Sequence, residues 1–248
     1  MATQRFWINT TGPDFDALRE GMRWLNATAT AGHRGLVAVV AKDTLGGVIT
    51  DALGENVTKA LAKGLEIRLP SGGSMRLMTG KSIPHAWCGD VILAIHAPPS
   101  LLDVIDGLPG VAAVLVIPWI ASDVELWRKV WNPTELGAPA AGTVAVPPPA
   151  APTVSSFDRA MEALSKRVNV STGITHPSDK QTAIALLLAL RETGAPFSSD
   201  EVRISLRQRE WDPKDANSVG ELADRILSGA RIRCNDMSTL EWARRVVT

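Results

Sequence analysis

The sequence predicts a three-layer α/β fold with a mostly parallel, Rossmann-like sheet and an inserted β-hairpin, followed by a small all-α helical module. Three observations predict it. Runs that are apolar on both alternating faces, Gly35 to Ala41, Val91 to His96 and Val111 to Ile117, are separated by helical patterns, as strands covered by helices on two sides require. Beyond residue 153 the pattern is almost wholly helical. Between the two, residues 137–153 hold five prolines and no charge, a composition that favours extended polyproline II over sheet or helix. The expected organisation is an α/β domain over 1–136, a Pro/Ala-rich linker over 137–153 and a helical module over 154–248.

Taken in order, Arg5 to Asn9 is a short aromatic and β-branched run closed by Thr10-Thr11-Gly12-Pro13-Asp14, a strand leaving its sheet through turn residues. Phe15, Leu18, Met22 and Leu25 fall three and four apart and predict a helix, with Asp14 placed to cap it and Gly32 to end it. Lys42-Asp43-Thr44 turns the chain from the second strand into a helical stripe of Leu45, Val48, Ile49, Val57 and Leu61 that Gly54 breaks. Leu65 to Leu69 and Met75 to Met78 flank Ser71-Gly72-Gly73-Ser74 as the arms of a hairpin. A short helix over Ser100 to Ile105 joins two buried strands, and Ser122 is expected to open a helix bearing Leu126, Trp127, Val130 and Trp131.

In the C-terminal part, Ser178-Asp179-Lys180-Gln181 and Ser198-Ser199-Asp200-Glu201 read as capping boxes. Asp212-Pro213 places a cap before a proline suited to the first helical position. A final short helix surrounds Leu240 and Trp242. Such short helices with tight joints suit a helix-turn-helix arrangement or a docking module.

Composition excludes several classes. Lys and Arg total 26 against 26 Asp and Glu, and the two halves are each near neutral, so neither is a basic nucleic-acid module by bulk charge. Cys88 and Cys234 are the only cysteines, too few for a disulfide framework or a cysteine-rich zinc site. His33, His85 and His176 lack metal-site spacing. With no secretory leader and no apolar run of membrane length, a cytoplasmic protein with no membrane partner is expected.

Open α/β sheets bind ligands beyond the carboxyl ends of their strands. That rule collects Thr10, Thr11 and Gly12 after the first strand, Lys42 and Asp43 after the second, His96, and then Trp119 and Asp123. Thr10, Thr11, Gly12, Lys42 and Trp119 are the candidate ligand-binding residues. The hydroxyls, the lysine and the indole suit a nucleotide-like or phosphate-bearing ligand. His96 with Asp43 or Asp123 is the candidate acid–base set for an enzyme, although His96 also suits a structural role and Asp14, Asp43 and Asp123 suit helix caps.

Local motifs name no reaction. Thr79-Gly80-Lys81-Ser82 has Met75 where a phosphate-binding loop needs glycine, and Pro84 where it needs a helix. Gly46-Gly47 lacks the remaining glycines of a dinucleotide fingerprint. The reading that follows is a non-catalytic binding or regulatory protein. Its α/β half would recognise a nucleotide-like ligand or a partner, and its helical half would dock a protein partner elsewhere. Two alternatives stand beside it: an enzyme acting on a nucleotide or phosphorylated substrate at the sheet's carboxyl edge, and a DNA-binding regulator built on the C-terminal helices, where Arg203, Arg207 and Arg209 and then Arg231, Arg233, Arg244 and Arg245 cluster.

Overall fold

The computed structural model describes residues 3–30, 33–83, 90–137, 155–168 and 173–248. The expected linker, apart from Gly137, lies outside these residues, as do Gly32, His85 and Cys88. The chain divides into two compact units, Met1–Ala141 and Gly142–Thr248.

The first unit is a three-layer α/β sandwich. Among the described residues its strands are β1 (Gln4–Trp7), β2 (Arg34–Val39), β3 (Ile67–Arg68), β4 (Ser74–Thr79), β5 (Val91–Ile95), β6 (Ala113–Ile117) and β7 (Thr134–Glu135), in the spatial order β3-β4-β2-β5-β6-β1-β7. Every pairing is parallel except β3 with β4. The hairpin therefore exists, but it is more than an insertion: its second arm, β4, runs parallel to β2 as a full member of the sheet. The outer arm β3 spans two residues, a short edge that limits pairing with other chains.

The double-sided apolar runs explain the layers. Val37, Val39, Leu93, Ile95, Leu115 and Ile117 point to one face, where α1 (Phe15–Thr28), α2 (Val48–Leu53) and α3 (Glu55–Ala62) cover them with Leu18, Leu25, Ile49 and Leu61. Leu36, Ala38, Ile92, Ala94, Val114 and Val116 point to the other, under α4 (Pro99–Asp106) and α5 (Glu125–Trp131) through Leu101, Leu102, Ile105 and Trp127. Each large aliphatic side chain taken fully from water in this way contributes about 1.5–3 kcal/mol before entropy is charged against it. Gly54 separates α2 from α3. Ser122 does not open α5; it lies inside a 3-10 turn, Ala121–Val124, whose extended lead residue is Ile120.

On the α4–α5 face the tryptophan pair has a structural job. Trp127 and Trp131 share a helix side and both donate their indole N–H to Asp106, at 3.2 and 2.8 Å. The Arg5 guanidinium stacks on Trp131 at 3.6 Å and stands 3.7 Å from the same carboxylate. That cluster rivets β1 to α4 and α5.

The second unit is a bundle of five helices among the described residues: α6 (Ser156–Arg167), α7 (Pro177–Thr193), α8 (Ser199–Gln208), α9 (Pro213–Leu227) and α10 (Met237–Val247). Every residue from Thr182 to Leu190 is buried, so α7 is the central helix, enclosed on all sides as an all-round apolar helix must be. It begins earlier than the Ser178 box implies. His176 is the cap, its Nδ1 accepting from the Ser178 N–H at 3.4 Å, because Pro177 with its fixed φ and missing N–H takes the first helical position. The Ser198–Glu201 capping box and the Asp212 cap are present. Helix α6, for which the sequence reading assigns no element, packs Ala160, Met161 and Leu164 into the core. Its Arg159 also satisfies the last carbonyls of α10, at Val246 and Val247. No helix among the described residues is long and apolar enough to cross a membrane.

Candidate functional site

Parallel pairing brings the carboxyl ends of β1, β2, β4, β5 and β6 to one edge of the sheet. Chain direction creates two switch points there. The connection after β2 runs to the α1–α3 face, whereas that after its neighbour β5 runs to the α4–α5 face. The adjacent strands β6 and β1 diverge in the same manner, to α5 and α1. Ligands of open α/β sheets sit at such switch points.

Three predicted residues meet at this edge. The His96 N–H donates to the Ile117 carbonyl at 2.7 Å, and its ring lies edge-on to the Trp119 indole, with centroids 4.7 Å apart at 78°. The Gly12 N–H donates to the Trp119 carbonyl at 2.6 Å. One contact chain thus joins the loops after β1, β5 and β6.

His96 is held in an unusual way, and the reason is local. Pro98 is the extended cap of α4 and Pro99 its first helical residue, and a residue before proline is itself pushed toward extended backbone. The turn out of β5 therefore falls on His96, at φ +51°, in the left-handed region that a residue with a Cβ disfavours. Its Nε2 is buried and has no hydrogen-bond partner. Burial pushes its pKa below the ordinary 6.5, since a charged imidazole would lose hydration there, so the ring is neutral at pH 7. Strain and an unsatisfied polar atom coinciding at a sheet edge are features that concentrate at functional sites.

Trp119 is 45% exposed and the following Ile120 is 48% exposed, an apolar pair facing solvent at this edge. Gly12 has φ +72°, and a Cβ built on it would meet no atom within 4 Å. Space is therefore open above this part of the loop.

The other predicted residues are arranged differently. The Thr10 hydroxyl donates to the Asp14 carboxylate at 2.7 Å, and that carboxylate also accepts the N–H groups of Asp16 and Ala17. Those bonds, the Thr10 one foremost, lower the Asp14 pKa. Asp14 is a helix cap and Thr10 is its partner. Thr11 is exposed. Lys42 and Asp43 are exposed in the 3-10 turn Lys42–Leu45 after β2, and their side chains make no hydrogen bond or ion pair among the described residues. Asp123 turns back to the Ile120 N–H at 3.4 Å. No described contact joins His96 to Asp43 or Asp123.

Features at the opposite, amino edge are absent from the sequence reading. Register places Arg34 beside Asp90, and the two form a largely buried ion pair at 2.7 Å. They line a concavity of about 690 Å³ with His33, Glu66, Arg68 and the Gly72-Gly73 turn. The signal was a charged residue preceding each of two apolar strands, which only the parallel register converts into a pair.

In the second unit the first arginine cluster is spent internally. Arg203 binds Asp200 and Asp224, buried Arg207 donates to the Asn217 amide oxygen, and Arg209 bonds Ser205. The exposed positions of α9 include Lys214 and Arg225 but also Glu221 and Asp224, a balance that offers no positive face to phosphates. Of the second cluster, Arg244 pairs with Glu192 at 2.7 Å. No group of His, Cys, Asp and Glu among the described residues could hold a metal ion.

Residues 155–245 match the model of a protein family described as a domain of unknown function, DUF1889. The match spans less than half of the chain and falls entirely in the helical unit. No curated protein and no solved structure matches the chain.

Proposed function

We propose that the protein is a non-catalytic binding protein whose α/β unit takes a nucleotide-like ligand at the carboxyl edge of its sheet, in the crevice bounded by Gly12, His96 and Trp119. The observation that carries this reading is the contact of His96 with Trp119 beside Gly12: a strained, neutral imidazole with an unused nitrogen, against an indole with half its surface in water. An exposed indole offers a stacking face to a planar ring, and open space above Gly12 leaves room for one.

The helical unit serves as the docking half, with its own core and a family match that begins at residue 155. Arg231, Arg233 and Arg245 are exposed on it, and an acidic protein partner would suit them.

A thermal-shift and calorimetric panel of mononucleotides, dinucleotides and nucleosides on the full chain tests the reading. Saturable binding that Trp119→Ala weakens supports it. No binding by any member of the panel removes it.

A further inference from the structure

We infer that the crevice reads the uncharged, base-like ring of its ligand and not a phosphate, with Trp119 as the cover that the ring displaces to reach the imidazole of His96. This deepens the ligand-binding reading above and rests on it.

In α/β sheets the phosphate is usually held by free N–H groups at the helix N-terminus bordering the crevice. Here both bordering helices of sufficient length have few such groups left. At the start of α1, the Asp14 carboxylate already accepts the N–H groups of Asp16 and Ala17, and a second anion beside it would be repelled. At the start of α4, the cap and first residue are Pro98 and Pro99, neither of which has an N–H to offer, and Leu101 and Leu102 donate to the Pro98 carbonyl, so the first turn has one N–H left, that of Ser100. In the short 3-10 turn before α5, the Asp123 carboxylate faces the Ile120 N–H. The residues in mutual contact, Gly12, His96 and Trp119, include no lysine or arginine, and burial keeps the imidazole neutral. Lys42 stands exposed on the loop after β2, one strand beyond His96.

What remains is suited to a flat, neutral heteroaromatic ring with donors and acceptors on its edge, as in a nucleobase. Nε2 of His96 is a polar atom with no partner and no access to water. A neutral imidazole nitrogen serves as donor or acceptor according to tautomer, so it can pair with such an edge. Trp119 is the ring set against that imidazole, and its own large exposure leaves it free to rotate outward. Once turned, it supplies a stacking face while the incoming ring satisfies Nε2.

Calorimetry on the full chain with adenosine, guanosine, cytidine and uridine, each beside its 5′-monophosphate, and with inorganic phosphate as competitor, tests the inference. At least one nucleoside should bind, and its monophosphate should bind within about threefold of it, a difference far smaller than a charge-assisted phosphate contact gives. Loss of the stacking face in Trp119→Ala should weaken the nucleoside about tenfold or more, and Trp119→Phe should recover part of that loss. Excess inorganic phosphate should leave nucleoside binding unchanged. A monophosphate that binds about a hundredfold tighter than its nucleoside, or competition by inorganic phosphate, overturns this inference while the ligand-binding reading stands. Failure of every nucleoside and nucleotide to bind removes both.

Discussion

At residue 96 the usual ranking of glycine and alanine should invert. In ordinary backbone, glycine is the less stable of the two by about 0.5–1 kcal/mol, because its unfolded chain has more freedom to lose. His96 has φ +51°, where a Cβ costs about 1–2 kcal/mol. His96→Gly should therefore be more stable than His96→Ala by roughly 1 kcal/mol, the Cβ relief less the entropy cost. Against wild type, His96→Gly also removes a buried nitrogen without a partner, worth about 1–3 kcal/mol. It loses the edge contact with Trp119, worth about 0.5–1.5 kcal/mol. The net expectation is a variant more stable than wild type by about 1–2 kcal/mol, at the expense of ligand binding. Amide hydrogen exchange in β5 of the full chain is the assay, because these fully buried residues exchange through opening of the α/β unit and report its stability separately. A gain of about 1 kcal/mol slows exchange roughly fivefold. If His96→Ala exchanges more slowly than His96→Gly, the left-handed strain at this position is refuted.

Other expectations follow from the same geometry. The folded pKa of His96 lies below the 6.5 of the unfolded chain, so between those values the unfolded chain binds a proton that the folded one does not. This contribution is complete above 6.5 and is lost as pH falls through that window; lowering pH from 7 to about 5 should destabilise wild type more than His96→Gly in urea titrations. Equal losses would contradict it. Asp106→Ala leaves two indole N–H groups and Arg5 without their shared acceptor and should cost about 3–5 kcal/mol, seen as a lower urea midpoint. A loss within about 0.5 kcal/mol would mean that the cluster is not a rivet. Gly73→Ala places a Cβ 2.0 Å from the Ala29 carbonyl oxygen, a backbone atom that can move only with the end of α1, and should cost about 1–3 kcal/mol in the same titration.

How far the sequence was legible depends on the range of the interactions concerned. Strands β2, β5 and β6 are readable because burial on both faces demands apolar residues at every position, and the helices α1, α8 and α9 because caps and stripes are local. Strand β4 reads as a mere hairpin arm, since Arg76 interrupts it; its place beside β2 is a long-range pairing that no local pattern encodes. The two-residue β7 carries no period at all. Helix α6 falls inside the helical module expected over 154–248, and Ala160, Met161 and Leu164 have helical spacing behind the Ser155 cap, although no capping box or proline marks its start. The cap of α7 was missed because Pro177 selects the helix start more strongly than a serine one position later.

For the site, the rule about carboxyl ends singles out Gly12, His96 and Trp119, yet only the pairing of β1 with β6 and β6 with β5 brings them into contact. The same rule turns attention from the amino edge, where Arg34 and Asp90 meet. Thr10 illustrates a further limit: its hydroxyl is spent on Asp14, and a residue type in the right loop says nothing about which partner claims it first.

The most direct test of the account is to map, by backbone NMR on the full chain, which amides shift as a saturating nucleoside or mononucleotide is added. The largest changes are expected at residues 11–12, 96–97 and 119–120. Changes centred instead on residues 33–34, 66–68 and 72–74, at the opposite edge of the sheet, would contradict it.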